Sequence, residues 1–159
     1  MKVLILKGLP ASGKSTFAKE LLAKEPGIWK RINKDLLREL LDNGEFSSKN
    51  EEFVSSIQES ILRSALRKGY NIVYDNCSLS SYIWNRLCEI CESIGDITVE
   101  EKTFVVDVEE CIKRDSLREG KAKVGEQVIR DMYKRYNLKK GYPESKSVYF
   151  PKKEVNSSV

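Results

Sequence analysis

Residues 8–16 read Gly-Leu-Pro-Ala-Ser-Gly-Lys-Ser-Thr, and a single lysine separates them from the apolar run Val3–Leu6. The two glycines let the chain curl so that successive backbone N–H groups converge on one point. The pattern is GxxxxGK(S/T), in which these N–H groups and the start of the next helix bind phosphates. Lys14 would then reach the outer phosphates of a nucleoside triphosphate, and the hydroxyl of Ser15 would complete the coordination of Mg²⁺.

The residues on either side of the motif favour a nucleotide site over a Gly/Ser-rich turn that binds nothing. A strand-like run precedes the loop, and apolar residues at helical spacing follow it, as in Phe17, Ala18 and Leu21. Strand, loop and helix in this order are typical of a P-loop. We therefore predict that ATP and Mg²⁺ bind here, with Ser15 at the metal. The residues expected at the nucleotide are Gly8, Ala11, Ser12, Gly13, Lys14, Ser15 and Thr16.

The composition is that of one ordinary globular domain. Of 159 residues, 40% are hydrophobic and 33% are charged, and the net charge is +4. No apolar stretch approaches the roughly 20 residues of a membrane span, and the start of the chain does not resemble a signal peptide. We expect a cytoplasmic protein with no membrane partner. The chain contains no histidine, so a general base must be another residue type.

The four cysteines do not indicate a metal or redox centre. Cys88 and Cys91 form a CxxC pair, which could serve redox chemistry or half of a zinc site. They fall within an amphipathic helical pattern, and no second pair follows at zinc-ligand spacing. We interpret them as small buried residues of a protein from a reducing compartment.

Strand-like runs alternate with helical patterns along the chain. This order is typical of right-handed βαβ units and predicts an α/β fold, with a parallel four-stranded sheet flanked by helices on both faces. Polar residues that follow these strands should meet at one edge of the sheet, where ligands bind. The four runs lie at residues 2–6, 28–32 and 71–74, and within 98–106.

A predicted helix that begins near Lys34 carries two residues suited to phosphoryl transfer. At about 100° per residue, Asp35 and Arg38 share one face. Asp35 would accept a hydroxyl proton, and Arg38 would bind an anion on the acceptor. An exposed ion pair three residues apart explains the same spacing equally well. The opposite face carries four leucines, which we expect to pack on the core: Leu36, Leu37, Leu40 and Leu41.

Two further sets of residues are candidates for the site, one directly after a predicted strand and one before a flexible segment. Asp75 ends an apolar strand, where P-loop proteins often place an acidic residue near magnesium, although Asp75-Asn76 is also a turn-forming pair. Arg114 and Arg118 precede the flexible segment 119–123 and suit a lid that closes on phosphates. Solvated ion pairs on a helix are the alternative.

The last part of the chain is basic. Arg130 and Lys134, with tyrosines between and after them, could contact a nucleic-acid backbone, although charge runs are more often solvated faces. From Lys139 onward the chain is rich in Lys, Ser and Pro. We therefore predict a basic, partly disordered C-terminal tail at residues 139–159.

Four segments together resemble the kinase module of phage polynucleotide kinase. They are GLPASGKST (8–16), INKDLLR (32–38), VYDN (73–76) and FVVDVEECIKRDSLREG (104–120). The resemblance covers most of the chain up to about residue 136 and implies a P-loop kinase fold, with a kinase domain at residues 1–138. It also implies transfer of the γ-phosphate of ATP to the 5′-hydroxyl end of DNA or RNA, as in nucleic-acid end repair.

The resemblance assigns roles to individual residues. Lys14 would bind the triphosphate, and Asp35 would be the general base on the 5′-hydroxyl. Arg38 would hold the 3′-phosphate of the terminal nucleotide. Arg118, together with Arg114, would act at the donor phosphates from the lid. Lys14, Asp35, Arg38 and Arg118 are thus the predicted catalytic residues.

The sequence departs from that family in two places. Asp75 and Asn76 are expected at the acceptor, but Asn76-Cys77 stands where the phage family has Thr-Asn. The DxDxT motif of the phage phosphatase domain is missing from the sequence, so we expect a kinase without phosphatase activity.

Two other functions fit the same residues. A P-loop kinase of a small molecule, such as a nucleoside, sugar or nucleotide sugar, would use Lys14 and Asp35 in the same way, with Arg38 on a smaller acceptor. A nucleotide-dependent binding protein would need only the P-loop.

Overall fold

A five-stranded sheet lies between helices in this protein, whose computed structural model describes residues 1–154. The strands are β1 (Lys2–Lys7), β2 (Trp29–Ile32), β3 (Asn71–Asp75), β4 (Ile97–Thr103) and β5 (Ser147–Phe150). The helices are α1 (Lys14–Lys24), α2 (Lys34–Asp42), α3 (Ser48–Arg67), α4 (Ser81–Ile94), α5 (Val108–Ser116) and α6 (Glu126–Arg135). Short 3₁₀ turns occur at Gly120–Ala122 and Leu138–Lys140.

The strand order is β2-β3-β1-β4-β5, and the first four strands are parallel. β1 lies in the middle, with Leu6 opposite both Asp75 of β3 and Lys102 of β4. The carboxyl ends of β1, β2 and β3 therefore lie side by side. The segments that follow these strands, including the P-loop, meet at this edge of the sheet.

Apolar side chains cover both faces of the sheet. On one face, residues such as Ile5 and Ile72 pack against Leu62 and Leu66 of α3 and Ile90 of α4. On the other face, residues of β1, β2 and β3 pack against α1. The predicted α/β class, with parallel strands and helices on both faces, is confirmed. None of the helices in residues 1–154 combines the length and apolar character that crossing a membrane requires.

The fifth strand corrects the predicted strand count and part of the predicted tail. β5 pairs antiparallel with β4, Phe150 opposite Ile97. Its side chains alternate, since Val148 and Phe150 pack on the core while Tyr149 is exposed. A four-residue alternation after a segment rich in Lys, Ser and Pro gave too weak a signal, and the open edge of β4 stabilises the strand. The predicted tail also covers residues 155–159, which lie outside the described residues.

The expectation that the leucine face of α2 packs on the core is wrong. Leu40 is 78% exposed and Leu36 is 54% exposed, and α2 contains no buried residue. The periodicity correctly indicated an amphipathic helix, but α2 follows the carboxyl end of β2 and makes its main contacts with α3. An apolar face is buried only where another element covers it.

A buried ion pair joins β1 to β4 just before the P-loop. Nζ of Lys7 lies 3.0 Å from Oε1 of Glu101, and both side chains are almost fully buried. The other carboxylate oxygen of Glu101 accepts a hydrogen bond from the backbone N–H of Lys146, 3.0 Å away. Glu101 therefore also fixes the segment that leads into β5.

Replacing Lys7 by Met should lower the free energy of unfolding by about 3 kcal/mol, because it leaves the Glu101 carboxylate buried without its cation. The double variant Lys7→Met/Glu101→Gln should recover at least half of that loss, since a neutral amide still accepts the bond from Lys146. Urea unfolding followed by circular dichroism measures both. A Lys7→Met protein as stable as the wild type would show that this pair contributes nothing to stability.

Candidate active site

The P-loop takes a conformation that requires its glycines. Gly13, at the start of α1, has φ 98°, a value that side chains disfavour. A Cβ added to Gly8 would lie 2.8 Å from Oγ of Ser12. The N–H of Gly8 also donates to the carbonyl of Cys77, 3.0 Å away, which ties the loop to the segment after β3. This geometry turns the backbone between β1 and α1 around a concave cradle.

Lys14 is buried, and its ammonium group is held by the loop itself. Nζ donates to the carbonyls of Gly8 (3.0 Å) and Leu9 (2.6 Å) and to Oγ of Ser12 (3.3 Å). Burial lowers the pKa of Lys14 below its ordinary value of 10.5. The ammonium is therefore fixed beside the cradle, where a phosphate oxygen would compete for its hydrogen bonds and favour its charged form.

A cavity of about 510 Å³, here called the P-loop cavity, opens at the carboxyl ends of β1, β2 and β3. Residues 11–16 of the P-loop form one side, including Ala11, Thr16 and the predicted metal ligand Ser15. The structure brings most of the predicted site together here. The predicted residues on the other sides are Asp35, Arg38, Asp75, Asn76 and Arg118.

Asp75 connects the α2 side of the cavity to the sheet. Its carboxylate is buried and accepts from Nη2 (2.6 Å) and Nε (2.8 Å) of Arg31 on β2. Nδ2 of Asn33 donates to the backbone carbonyl of Asp75, 2.7 Å away. Within residues 1–154, Oδ1 of Asp75 has no hydrogen-bond partner. Sequence analysis missed both partners, although an Asn before a helix is a recognisable N-cap signal for Asn33.

The first turn of α2 is fixed by two asparagines. Oδ1 of Asn33 accepts from the N–H of Leu36 at 2.9 Å, as an N-cap does. Oδ1 of Asn76 accepts from the N–H of Lys34 at 3.0 Å. These bonds satisfy N–H groups that would otherwise be unpaired at the helix start. They also hold Asp35, in the same turn, at the edge of the P-loop cavity.

Asp35 and Arg38 form the predicted pair, and Glu51 of α3 completes it. Nη1 of Arg38 donates to the carboxylate of Asp35, whose side chain is 87% exposed. Nε and Nη2 of Arg38 donate to the two oxygens of Glu51 at 2.9 and 2.7 Å. The hydrogen bonds from Arg38, helped by Lys34, hold the pKa of Glu51 at about 2. Glu51 is thus a fixed anion that positions Arg38, and no spacing in the sequence signalled it.

The segment 117–125, here called the lid, covers one side of the cavity. The buried carboxylate of Asp115 accepts from the N–H groups of Val124 (3.0 Å) and Gly125 (2.8 Å), which closes the lid into a loop. Arg118 lies 3.7 Å from the same carboxylate. At the tip, Nζ of Lys121 donates to the carbonyl of Asn43, after α2. Asp115 and Lys121 are functional candidates that sequence analysis missed.

Arg114 does not line the P-loop cavity. Its Nε pairs with Glu110, 3.0 Å away, as expected for a solvated helix face. It lines a neighbouring surface cavity of about 470 Å³ together with Arg118 and the start of α1, including Thr16. Arg118 borders both cavities, whereas Arg114 borders only the smaller one, which Ala11 and Gly13 of the P-loop also line.

The basic region near the end of the chain is ion-paired at Arg130 of α6. Arg130 donates to both carboxylate oxygens of Glu109, at 2.7 and 3.1 Å, and also pairs with Glu126. Tyr133 and Tyr136 pack against an apolar cluster instead of standing free for stacking. Ion pairing therefore accounts for Arg130, whereas Lys134 and Arg135 are exposed and form no ion pair within residues 1–154.

The side chains present suit a magnesium ion held mainly by phosphates. In residues 1–154, no group of three or more Cys, Asp and Glu side chains is arranged to hold a metal. The hydroxyl of Ser15 and the unpaired Oδ1 of Asp75 border the same cavity. Magnesium accepts few protein ligands besides phosphate oxygens and water.

The cysteines are free, and burial raises the pKa of Cys91 to about 12, which makes it unreactive.

Nucleotide binding should weaken as the pH rises towards 10.5, the ordinary pKa of a lysine. Phosphates favour the charged form of Lys14, whereas burial lowers the pKa of Lys14 in the free protein. The pKa of Lys14 should therefore be higher in the ATP complex than in the free protein. At a pH between these two values, ATP binding takes up one proton, and the affinity for ATP should fall about tenfold for each pH unit. Calorimetric titration with ATP from neutral pH to about pH 10 measures this slope. Lys14→Met should bind weakly with no slope, and the exposed control Lys19→Met should behave as wild type.

Removing the carboxylate of Asp115 should loosen the lid. In Asp115→Ala the N–H groups of Val124 and Gly125 lose their acceptor, and trypsin should cut after Arg118 or Lys121 about tenfold faster. Peptide mapping during limited digestion identifies the cut sites. Glu119→Ala, an exposed change in the same segment, is the control. Equal digestion rates for Asp115→Ala and wild type would refute the anchoring role of Asp115.

Comparison with known proteins finds solved structures that share this fold. A chain of the Pnkp1/Rnl/Hen1 RNA repair complex aligns at 26% identity and TM-score 0.79, over 98% of this chain and 50% of that one. A chain in another structure of the Pnkp1/Rnl/Hen1 complex aligns at 29% identity and TM-score 0.62, over 71% and 38%. This chain therefore spans half or less of the length of those proteins.

A third solved structure shares the fold alone. Deoxyadenosine kinase from M. mycoides with bound dATP aligns at 17% identity and TM-score 0.50, over 88% of this chain and 84% of that one. The sequence model of the family described as AAA domain matches residues 3–138. The chain therefore belongs to the AAA domain family, with the α/β fold and the nucleotide-binding loop of the P-loop kinase superfamily.

Proposed function

We propose that this protein transfers the γ-phosphate of ATP to the 5′-hydroxyl end of DNA or RNA. One observation carries the proposal: the carboxylate of Asp35 is open to solvent, is held by Arg38, and borders the same cavity as the P-loop. A base beside a phosphate cradle is what phosphoryl transfer to a hydroxyl requires. The likeness to a chain of an RNA repair complex supports a polynucleotide as the acceptor.

On the donor side, the cradle binds and orients the triphosphate. Backbone N–H groups of residues 11–16 surround the phosphates, and Lys14 moves its hydrogen bonds from loop carbonyls to phosphate oxygens. Ser15 would hold Mg²⁺, which neutralises phosphate charge when bound. Arg118 borders the P-loop cavity and would stabilise the charge that develops on the transferring group, and Arg114 would act beside it from the neighbouring cavity.

On the acceptor side, Asp35 removes the proton of the 5′-hydroxyl group. The oxygen of that hydroxyl attacks the γ-phosphorus in line, and ADP leaves. Arg38 has five N–H groups, of which three donate to Glu51 and Asp35. The remaining two can bind the 3′-phosphate of the terminal nucleotide. Asp75 and Asn76 keep this side in place through the start of α2.

The decisive experiment offers labelled ATP to matched DNA and RNA strands that end in a 5′-hydroxyl or a 5′-phosphate. Wild type should label only the 5′-hydroxyl strands. Asp35→Asn should transfer at least 100-fold more slowly with unchanged ATP affinity, because the base is lost and the P-loop is intact. Asp131→Asn, an exposed carboxylate on α6, is the matched control and should keep full activity.

Other outcomes would identify a different function. Label on nucleosides or sugars but on no strand would make the protein a small-molecule kinase. Binding of ATP with no transfer to any acceptor would make it a nucleotide-dependent binding protein. Full activity of Asp35→Asn would remove Asp35 from the role of general base.

A further inference from the structure

An apolar groove of about 890 Å³ lies at the edge of the sheet that ends with β2, and we call it the β2 groove. α3 forms one wall through Ile57 and Ile61, and the end of α1 with the turn after it forms the other through Leu22 and Pro26. None of the described residues lines both this groove and the P-loop cavity. The β2 groove is therefore separate from the candidate active site.

The floor of the groove is the open side of β2. Within residues 1–154, β2 pairs with β3 alone. The carbonyl of Ile28 accepts a hydrogen bond from the N–H of Asn71, 3.0 Å away, so the main chain of Ile28 faces β3. Main-chain groups alternate in direction along a strand, so those of Trp29 and Arg31 face the open side. Such groups are a template for an added strand.

The length of the groove suits an extended segment. Its α3 wall runs from Ile57 to Lys68, which spans about 16 Å of helix. An extended chain of about five residues covers the same distance. Ile57, Ile61 and Ala65 recur at helical spacing along this wall, so they present an apolar stripe to side chains of the segment.

The charge of the groove indicates what its occupant carries. Its lining includes Lys30, Arg31 and Lys68, and none of the described lining residues is acidic. Arg31 pairs with Asp75, but Lys30 and Lys68 are exposed and form no ion pair within residues 1–154. Nζ of Lys30 lies 4.4 Å from the centre of the Tyr70 ring, so both free cations lie at the end of the groove beside the start of β3. A segment with carboxylates fits this end better than a second copy of this chain, which brings the same cations.

The aromatic side chains of the groove offer little surface for bases. Trp29 is 8% exposed, and the ammonium of Lys30 covers one face of Tyr70. Single-stranded nucleic acids bind largely through stacking of their bases on aromatic rings. The open part of the α3 wall is aliphatic instead, which favours a protein segment.

We propose that the β2 groove binds an extended segment of a partner protein, which pairs with the main chain of β2 as an added strand. Apolar side chains of the segment pack on Ile57 and Ile61. Its acidic side chains bind Lys30 and Lys68. This inference does not rest on the proposed function, because the groove lies outside the P-loop cavity.

The test uses a fluorescein-labelled peptide of alternating valines and leucines, flanked by glutamates at both ends so that either direction of pairing is possible. Fluorescence anisotropy with the full chain should show saturable binding with a Kd of about 10 µM. The same peptide with lysines in place of the glutamates should bind at least about tenfold more weakly.

A reciprocal change of charge tests the two cations. Lys30→Glu/Lys68→Glu should weaken binding of the glutamate peptide about tenfold and strengthen binding of the lysine peptide by a similar factor. Both lysines are exposed, so the variant should fold. Lys134→Glu/Lys139→Glu changes the net charge equally at exposed positions elsewhere, and it should leave both affinities unchanged.

A further variant tests the apolar wall. Ile61→Asp puts a carboxylate into the stripe and should weaken binding of the glutamate peptide at least about tenfold. Val128→Asp, on α6, is the matched control, because Val128 is 47% exposed and Ile61 is 38% exposed.

Methylated peptides test the pairing with β2. Methyl groups on every second backbone nitrogen remove the donors on one side of the added strand only. Of two peptides methylated in alternate registers, one should bind at least about tenfold more weakly and the other should bind as the parent does. Equal affinities of the two would overturn strand addition.

Other results would assign the groove differently or reject it. The inference is overturned if the wild type fails to bind the glutamate peptide at about 1 mM, or if Ile61→Asp binds it as the wild type does. Binding of a single-stranded oligonucleotide instead of the peptide, weakened by both groove variants, would replace the partner protein with a nucleic acid. A dimer in sedimentation that Ile61→Asp dissociates would assign the groove to a second copy.

Discussion

The buried carboxylate of Asp75, paired with Arg31, is the contact on which the site depends. A charge in the interior is stable only when it is paired, so this ion pair fixes the end of β2 against the end of β3. The next two residues extend the effect: Asn76 binds the start of α2, and the carbonyl of Cys77 binds Gly8. Both α2 and the P-loop are thus positioned by three consecutive residues. Small shifts in β3 would move the two halves of the site together.

Cationic groups in the site are held by other groups of the protein. Lys14 binds loop carbonyls, Arg38 is shared between Asp35 and Glu51, and Lys121 reaches the carbonyl of Asn43 and lies 3.3 Å from Glu45. Side chains held in this way lose little rotamer freedom when a phosphate arrives. The arrangement also means that substrate must compete with existing partners. The site therefore selects for ligands that carry several negative charges and against single weak anions.

The sequence predicts those parts of the site that rest on local spacing. The P-loop and the Asp35–Arg38 pair were found because each lies within one turn or loop. Glu51 was missed because its contact with Arg38 joins two helices, and Arg31 because a cation in an edge strand carries no local signal. The same limit explains the fold errors. Periodicity predicts that α2 is amphipathic, but it does not show whether another element covers Leu40. The weakly alternating residues of β5 form a strand because they pair with the free edge of β4.

The antiparallel direction of β5 brings its last residue, Phe150, close to Met1. Phe150 pairs with the first residue of β4, Ile97, and the terminal amine of Met1 donates to the carbonyl of Asp96, 2.9 Å away. Met1 and the end of β5 therefore lie at the amino edge of the parallel strands, opposite the edge that carries the P-loop cavity. A surface anchor, a fluorescent protein or a second enzyme joined at Met1 or directly after β5 would leave the P-loop cavity facing free solution. This makes the protein suited to immobilisation and to single-molecule tethering without redesign of its site.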